Sequence, residues 1–210
     1  IRRPPSFTLF PYTTLFRSEI TRLEMKTEAE PIVRICRFAG LKPGMRVADI
    51  LCGTGKTSEI LYSLVEPGGE VTGFDASRER ITYAEHTYGK KGISFKVKNI
   101  LEPFDAQESF DFVWARFALE YFKAEAFEIV KNLDSLLKPE GVLCLVDLDY
   151  NCLNHYEMPE RMESALNRVM NLLQERMNFD PYAGRKLYSY LYDLGYSNIT
   201  ADLQDRKSVV

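Results

Sequence analysis

The chain has 210 residues, of which 45% are hydrophobic and 12% aromatic, and carries a net charge of −3. That length suits one domain, and that apolar supply suits a substantial core, which excludes an intrinsically disordered chain. No apolar run reaches the ~18 to 20 residues of a membrane span and no stretch has the order of a secretory signal, so the cytosol is the expected compartment.

In chain order, Ile1 to Ser18 has no initiator Met and neither helical nor strand periodicity. It resembles the translated read-through of a sequencing adapter, as does Asp205 to Val210, and both are set aside from fold reasoning. Residues 19–204 are then the expected natural segment, cut from a longer frame. Without the terminal charges, 22 basic residues face 29 acidic ones, a net charge of −7. An acidic core with no basic stripe argues against DNA or RNA as partner, because nucleic-acid binding depends on neutralising phosphates with Lys and Arg. A small-molecule partner is favoured.

From Glu28 to Gly40, the apolar residues Ile32, Val33, Ile35, Cys36 and Phe38 fit a helix that Pro31 starts and Gly40 stops. Five strand-length apolar runs follow: Met45 to Ile50, Val71 to Phe74, Ile93 to Val97, Phe110 to Ala115 and Val142 to Asp147. Helical stretches lie between them near Ser58 to Val65, Arg78 to Tyr88 and Phe122 to Leu137. Leu41 to Gly44, Pro67 to Gly69 and Lys138 to Gly141 punctuate the pattern. Leu101 to Ser109 is polar and reads as a loop. A long helix over Pro159 to Met177 carries Met162, Ala165, Leu166, Val169, Met170, Leu173 and Met177 along one face, the spacing of a core face or of a pliable pocket wall. Asp180-Pro181 caps the next helix, Gly195 ends it, and Asn198 to Leu203 reads as a sixth strand.

Strands alternating with helices at this spacing predict an α/β fold of the Rossmann-like, doubly wound type. Its sheet is mostly parallel with helices on both faces, because parallel strands need long right-handed crossovers. Ligands in such sheets bind beyond the C-terminal strand ends. Four cysteines, Cys36, Cys52, Cys144 and Cys152, include no C-x-x-C pair, and two histidines leave little material for a metal site, so buried reduced thiols are expected.

The run Val47-Ala48-Asp49-Ile50-Leu51-Cys52-Gly53-Thr54-Gly55 sets an acid and two glycines where the first strand turns into a helix. Glycines allow a sharp turn and close approach of a ligand, and the helix start at Thr57 and Ser58 offers free N–H groups. A phosphate loop would end in Gly55-Lys56-Thr57, but Ile50 stands at its leading glycine. A dinucleotide fingerprint would have Ser58 in place of its third glycine, although Asp75 lies at the spacing of a ribose-binding acid.

The same run resembles the first motif of the class I S-adenosylmethionine-dependent methyltransferases, acid-x-G-x-G-x-G. Val71 to Ser77 (VTGFDAS) resembles the second motif and Phe110 to Tyr121 (FDFVWARFALEY) the fourth, while Leu136 to Asp147 (LLKPEGVLCLVD) resembles the lead-in and fifth strand. The likeness is nearest to the small-molecule methyltransferases of the quinone-biosynthesis type. It implies S-adenosylmethionine as cofactor, with Gly53 and Gly55 facing its methionine end and Asp49 ordering the loop. It further implies that Asp75 accepts both ribose hydroxyls, a role a carboxylate ending a strand is suited to. Ala76 would pack on adenine, Asn99 and Ile100 would meet the adenine amino group and face, and Arg116 would lie where the chain meets the methionine ammonium. Leu51 departs from the pattern, standing where a glycine or small residue is expected, and a leucine there would crowd the cofactor. In this family the sheet ordinarily closes with a further C-terminal strand, which is expected to be missing here.

The sulfonium methyl is already activated, so such an enzyme works mainly by aligning the acceptor and excluding water. A base is needed only where the acceptor loses a proton. The candidates near the strand ends are Tyr121, Asp149, Tyr150 and His155, with His155 foremost, while His86 fits a solvated helix face. No D/N-P-P-Y tetrad and no Pro-Cys pair of the nucleic-acid methyltransferases occurs. The expected reaction is methylation of an O, N or C atom of a small molecule. Two other classes stand beside it: an NAD-dependent oxidoreductase, and a non-catalytic domain weakened through Leu51.

Overall fold

The computed structural model describes residues 12–105, 108–149 and 157–203. Two helices, α1 (Tyr12–Lys26) and α2 (Ala29–Phe38), precede β1 (Arg46–Ile50). Then come α3 (Lys56–Val65), β2 (Glu70–Asp75), α4 (Arg78–Tyr88), β3 (Ile93–Val97) and β4 (Phe110–Arg116). A 3-10 turn over Leu119–Tyr121 leads to α5 (Ala126–Asp134), β5 (Leu137–Val146), α6 (Glu160–Arg176) and α7 (Ala183–Asp193).

The five strands form one parallel sheet in the order β3-β2-β1-β4-β5. Alternate strand residues feed opposite layers, as the two-residue period of a strand requires. Val47, Val71, Phe112 and Trp114 meet Ile32 and Cys36 of α2 and Leu61 and Val65 of α3 on one face. Ala48, Ile50, Val113 and Ala115 meet Ile129, Val130 and Leu133 of α5 on the other. Both faces are therefore covered, as expected from sequence. Each large side chain so buried contributes about 1.5 to 3 kcal/mol.

Several boundaries differ from the sequence reading, each for a local reason. The segment before Ser18 is not wholly irregular, since α1 begins at Tyr12. Residues Lys138 to Gly141, read as punctuation, lie inside β5 as a bulge, where Glu140 takes a φ of +66°. The pairing skips there between Phe110 and Phe112, and Asp111 holds the excursion by accepting from Lys138 Nζ at 2.7 Å. Helix α5 starts four residues later than expected, because Asn178 draws the preceding turn away. Its Oδ1 accepts from Ala124 N–H at 3.0 Å and its amide donates to Glu125 at 2.6 Å.

The long methionine-bearing helix exists, but it is not a core helix. None of its residues is buried, and Met162, Val169, Leu172 and Met177 are exposed. The sixth strand is absent: Asn198 to Leu203 takes no ladder, since no described strand lies beside it. A groove of about 1760 Å³ separates that segment from the outer edge of β5. Among the described residues of the stretch read as a loop, 101–105 and 108–109 carry no helix or strand. Among the described residues no helix is long and apolar enough to cross a membrane.

Candidate functional site

The strand order reverses between β1 and β4, so a crevice opens where the chains leaving these two strands diverge. Ligands of doubly wound sheets bind at that switch point. Both chains leave their strands through left-handed backbone on residues other than glycine, Leu51 at φ +55° and Phe117 at φ +54°. Such strain costs about 1 to 3 kcal/mol per residue and is concentrated at functional sites.

After β1, Cys52 N–H donates to Phe74 C=O at 3.0 Å, which draws the loop beneath the end of β2. Gly53 and Gly55 then take φ of +59° and +90°. Their roles differ. A Cβ on Gly55 would lie 2.8 Å from the Phe95 ring and 2.9 Å from Ala84, so that glycine serves close packing of α3 on α4 and β3. A Cβ on Gly53 would meet only Leu23 of α1, at 3.7 Å, so this backbone faces open space beneath that helix.

Asp49 and Asp75 are each 2% exposed. Asp49 accepts from Ser58 Oγ at 2.6 Å, tying β1 to the first turn of α3. Burial, opposed by that hydrogen bond and aided by the Asp75 charge, pushes its carboxyl up to about 7. Asp75 ends β2 and accepts from Gly53 N–H at 3.1 Å and from Ser77 N–H at 2.9 Å. Each oxygen keeps a second lone pair for another donor, since a carboxylate accepts about four hydrogen bonds.

Helix α1 lies over this loop. Lys56 Nζ donates to Glu24 C=O, and Tyr88 hydroxyl donates to Glu24 Oε2 at 2.7 Å. Arg80 bridges Glu19 at 3.5 Å and Asp75 at 3.7 Å. These lid contacts were not foreseen from sequence.

The remaining expected residues divide. Ala76 is exposed beside Asp75, and Asn99 is exposed with its Oδ1 accepting from Leu101 N–H at 3.1 Å. Ile100 is 2% exposed and belongs to the core with Phe74 and Phe104. Leu51 likewise leans on that core layer. Arg116 stacks on the Phe117 ring at 4.4 Å. Asp149 pairs with Arg185 at 2.8 Å, His86 is exposed, and Tyr150 and His155 lie outside the described residues. Cys36, Cys52 and Cys144 are buried free thiols, the last pushed up to about 12 by burial.

Two acids at the ends of β4 and β5 were missed. Asp147 accepts from Leu119 N–H at 2.7 Å, Glu120 N–H at 3.3 Å and Leu148 N–H at 2.9 Å, which forms the 3-10 turn. Burial raises its carboxyl against those bonds. Glu120, within that turn, is 4% exposed. Burial first and the Asp147 charge second push it up to about 7, with the Tyr121 hydroxyl pulling the other way. The signal available in sequence was an acid set in the otherwise apolar and aromatic run Phe117 to Phe122.

An acid-bearing glycine loop after β1, a carboxylate ending β2 and a crevice at the β1/β4 reversal define a Rossmann-like domain built to hold a nucleoside-bearing cofactor. The chain belongs to the family of methyltransferase domains, whose model matches residues 41–195. It is 32% identical over 115 residues to the demethylmenaquinone methyltransferase of Staphylococcus aureus strain JH9, covering 53% of this chain and 47% of the relative. The chain thus spans about half the length of the curated relatives it matches. Among solved structures, the S-adenosylmethionine-dependent methyltransferase of Aquifex aeolicus superposes with a TM-score of 0.57 at 22% identity, over 75% of this chain and 86% of that one. The Haloferax volcanii complex of the Trm112 methyltransferase activator with a methyltransferase gives 0.65 at 19% identity, over 86% and 73%. At these identities the two structures speak for the fold.

Proposed function

We propose that residues 19–204 form a methyltransferase domain that moves a methyl group from S-adenosylmethionine to a hydroxyl-bearing small molecule of the reduced naphthoquinone kind, in the cytosol. The observation that carries this reading is the Gly53 backbone set 3.1 Å from the Asp75 carboxylate at the switch crevice, with no side chain of its own in the way. The naphthoquinone class follows the name of the Staphylococcus aureus relatives.

The bound cofactor supplies an electrophilic methyl group on a sulfonium. In this reading Asp75 accepts from the ribose hydroxyls through its spare lone pairs, and Arg80 yields its place beside that carboxylate. Gly53 admits the amino-acid end, and Asp49 holds the loop through Ser58. Ala76 and the Asn99 side chain border the adenine, and Ile100 contributes from the core side. Arg116 and the loop after β4 bound the methionine end. Helix α1 closes over the crevice and keeps water out, which strengthens the electrostatic contacts within.

Incubation with methyl-labelled S-adenosylmethionine and anaerobic 1,4-naphthoquinol should yield labelled naphthol product and S-adenosylhomocysteine. Asp75→Ala should reduce the yield at least 100-fold, the loss expected of about 2.7 kcal/mol in charge-assisted contacts. Labelled product formed equally by Asp75→Ala would overturn the assignment of that residue.

A further inference from the structure

Glu120 is a buried carboxyl, 4% exposed, and the charge that weighs on it is another acid, Asp147. Its position is fixed from two neighbouring elements. Its N–H donates to Asp147 Oδ2 at 3.3 Å, and its C=O accepts from Asp180 N–H at 2.7 Å. Asp147 comes from the end of β5, and Asp180 stands between α6 and α7, where Lys186 pairs with it. The groups that face the Glu120 carboxyl are Asp147 and the Tyr121 hydroxyl, and Arg22 of α1 faces Tyr121 in turn.

Burying a carboxyl beside another acid is costly, and folded chains keep such an arrangement chiefly where it does chemistry. Glu120 lies four residues beyond β4, in the chain that leaves the C-terminal end of that strand, where Ala115 pairs with Ile50 of β1, and ligands of such sheets bind beyond these strand ends. The chain enters that wall through the strained Phe117. Tyr121 is the poorer proton acceptor of the two: it is 56% exposed, and burial of its hydroxyl end with the Glu120 charge beside it raises its pKa.

Resting on the methyl-transfer reading above, we propose that Glu120 is the catalytic base, its carboxylate taking the hydroxyl proton of the methyl acceptor. The balance is simple. The acceptor O–H bond breaks and its proton passes to Glu120. The electron pair released makes the new bond to the methyl carbon, from oxygen or from the ring carbon conjugated to it. The S–CH3 bond breaks with its pair left on sulfur, giving a neutral thioether. Where carbon is attacked, the ring proton is lost afterwards to water and the oxygen takes back the proton held by Glu120. Asp147 is a positioning residue that holds the turn.

Three measurements on wild type and on Glu120→Gln and Glu120→Asp test this. With 1,4-naphthoquinol as acceptor, wild-type kcat should rise about tenfold per pH unit below about 7 and level above it. Glu120→Gln should lose about 100-fold or more in kcat and lose the pH rise, while Glu120→Asp keeps part of both. Binding of S-adenosylhomocysteine, read by calorimetry, should stay within twofold in both variants. Without any ligand, burial favours the protonated carboxyl in the fold, so its stabilising share is whole below 4.5 and is lost as pH rises toward about 7. The melting temperature of Glu120→Gln minus that of wild type should therefore climb across that window and then level.

A Glu120→Gln enzyme within threefold of wild-type kcat would overturn the proposal. So would wild type that binds S-adenosylhomocysteine yet leaves naphthoquinol unmethylated, or a flat wild-type pH profile, which decides the matter if Glu120→Gln does not fold. Failure of wild type to bind S-adenosylhomocysteine would instead overturn the methyl-transfer reading beneath it.

Discussion

Leu51 shows how a single position connects sequence pattern, backbone strain and ligand fit. The family resemblance calls for a glycine or small residue there, and the backbone supplies the reason, a φ of +55° that glycine adopts without penalty. For a leucine the left-handed region costs roughly 1 to 2 kcal/mol. Its side chain recovers part of this by leaning on the core layer that includes Ile50 and Phe74. Leu51→Gly trades that packing and a more flexible unfolded chain against the strain, so chemical denaturation should register a change of about 1 kcal/mol or less. Affinity for S-adenosylhomocysteine should rise several-fold as the mouth of the loop clears. Unchanged affinity in calorimetry would show that the leucine crowds nothing.

Legibility at this scale followed backbone geometry. Asp49, Gly53, Gly55 and Asp75 were readable because strand ends and tight turns restrict residue type, although Gly55 proved to answer Phe95 and Ala84 as well. Glu120 and Asp147 were not readable. Their proximity depends on the pairing of β4 with β5 and on a turn that only tertiary hydrogen bonds create.

Among the elements, the sheet was legible because buried parallel strands are nearly continuous apolar runs. What sequence could not supply was the partner of each apolar face. The stripe on α6 has core periodicity, yet every residue on that helix is at least partly solvated. Likewise Asn198 to Leu203 has strand composition but no described strand beside it, and strand formation is a property of the pair. The contrast between α5 and α6 is measurable. Leu133→Ala in α5 should cost about 2 to 5 kcal/mol, since Leu133 is fully buried. Val169→Ser in α6 should change stability by no more than about 0.5 kcal/mol, as at other exposed positions. A loss above about 1.5 kcal/mol for Val169→Ser in urea denaturation would mean that α6 is packed after all.

Across the whole molecule, the crevice has two walls with different tasks. The wall after β1 and β2 carries glycine backbone and carboxylates, which the proposed function assigns to a cofactor with a ribose and an amino-acid end. The segment after β4 carries the buried Glu120, held to Asp147 at the end of β5, to which the proposal assigns the acceptor proton. Helix α1 joins them from above, through Leu23 over Gly53, Glu24 beside Lys56 and Tyr88, and Arg22 near Tyr121. In this arrangement the lid, the cofactor wall and the acceptor wall share one network of charges, so occupancy of the crevice should be felt by the fold as a whole.

The central claim, that this crevice holds S-adenosylmethionine, is tested most directly by ligand-induced thermal stabilisation. A ligand held at 100 times its dissociation constant stabilises the native state by about 2.7 kcal/mol. S-adenosylhomocysteine should raise the melting temperature by several degrees, Asp75→Ala should abolish the rise, and NAD should produce none. A rise with NAD and none with S-adenosylhomocysteine would contradict the account.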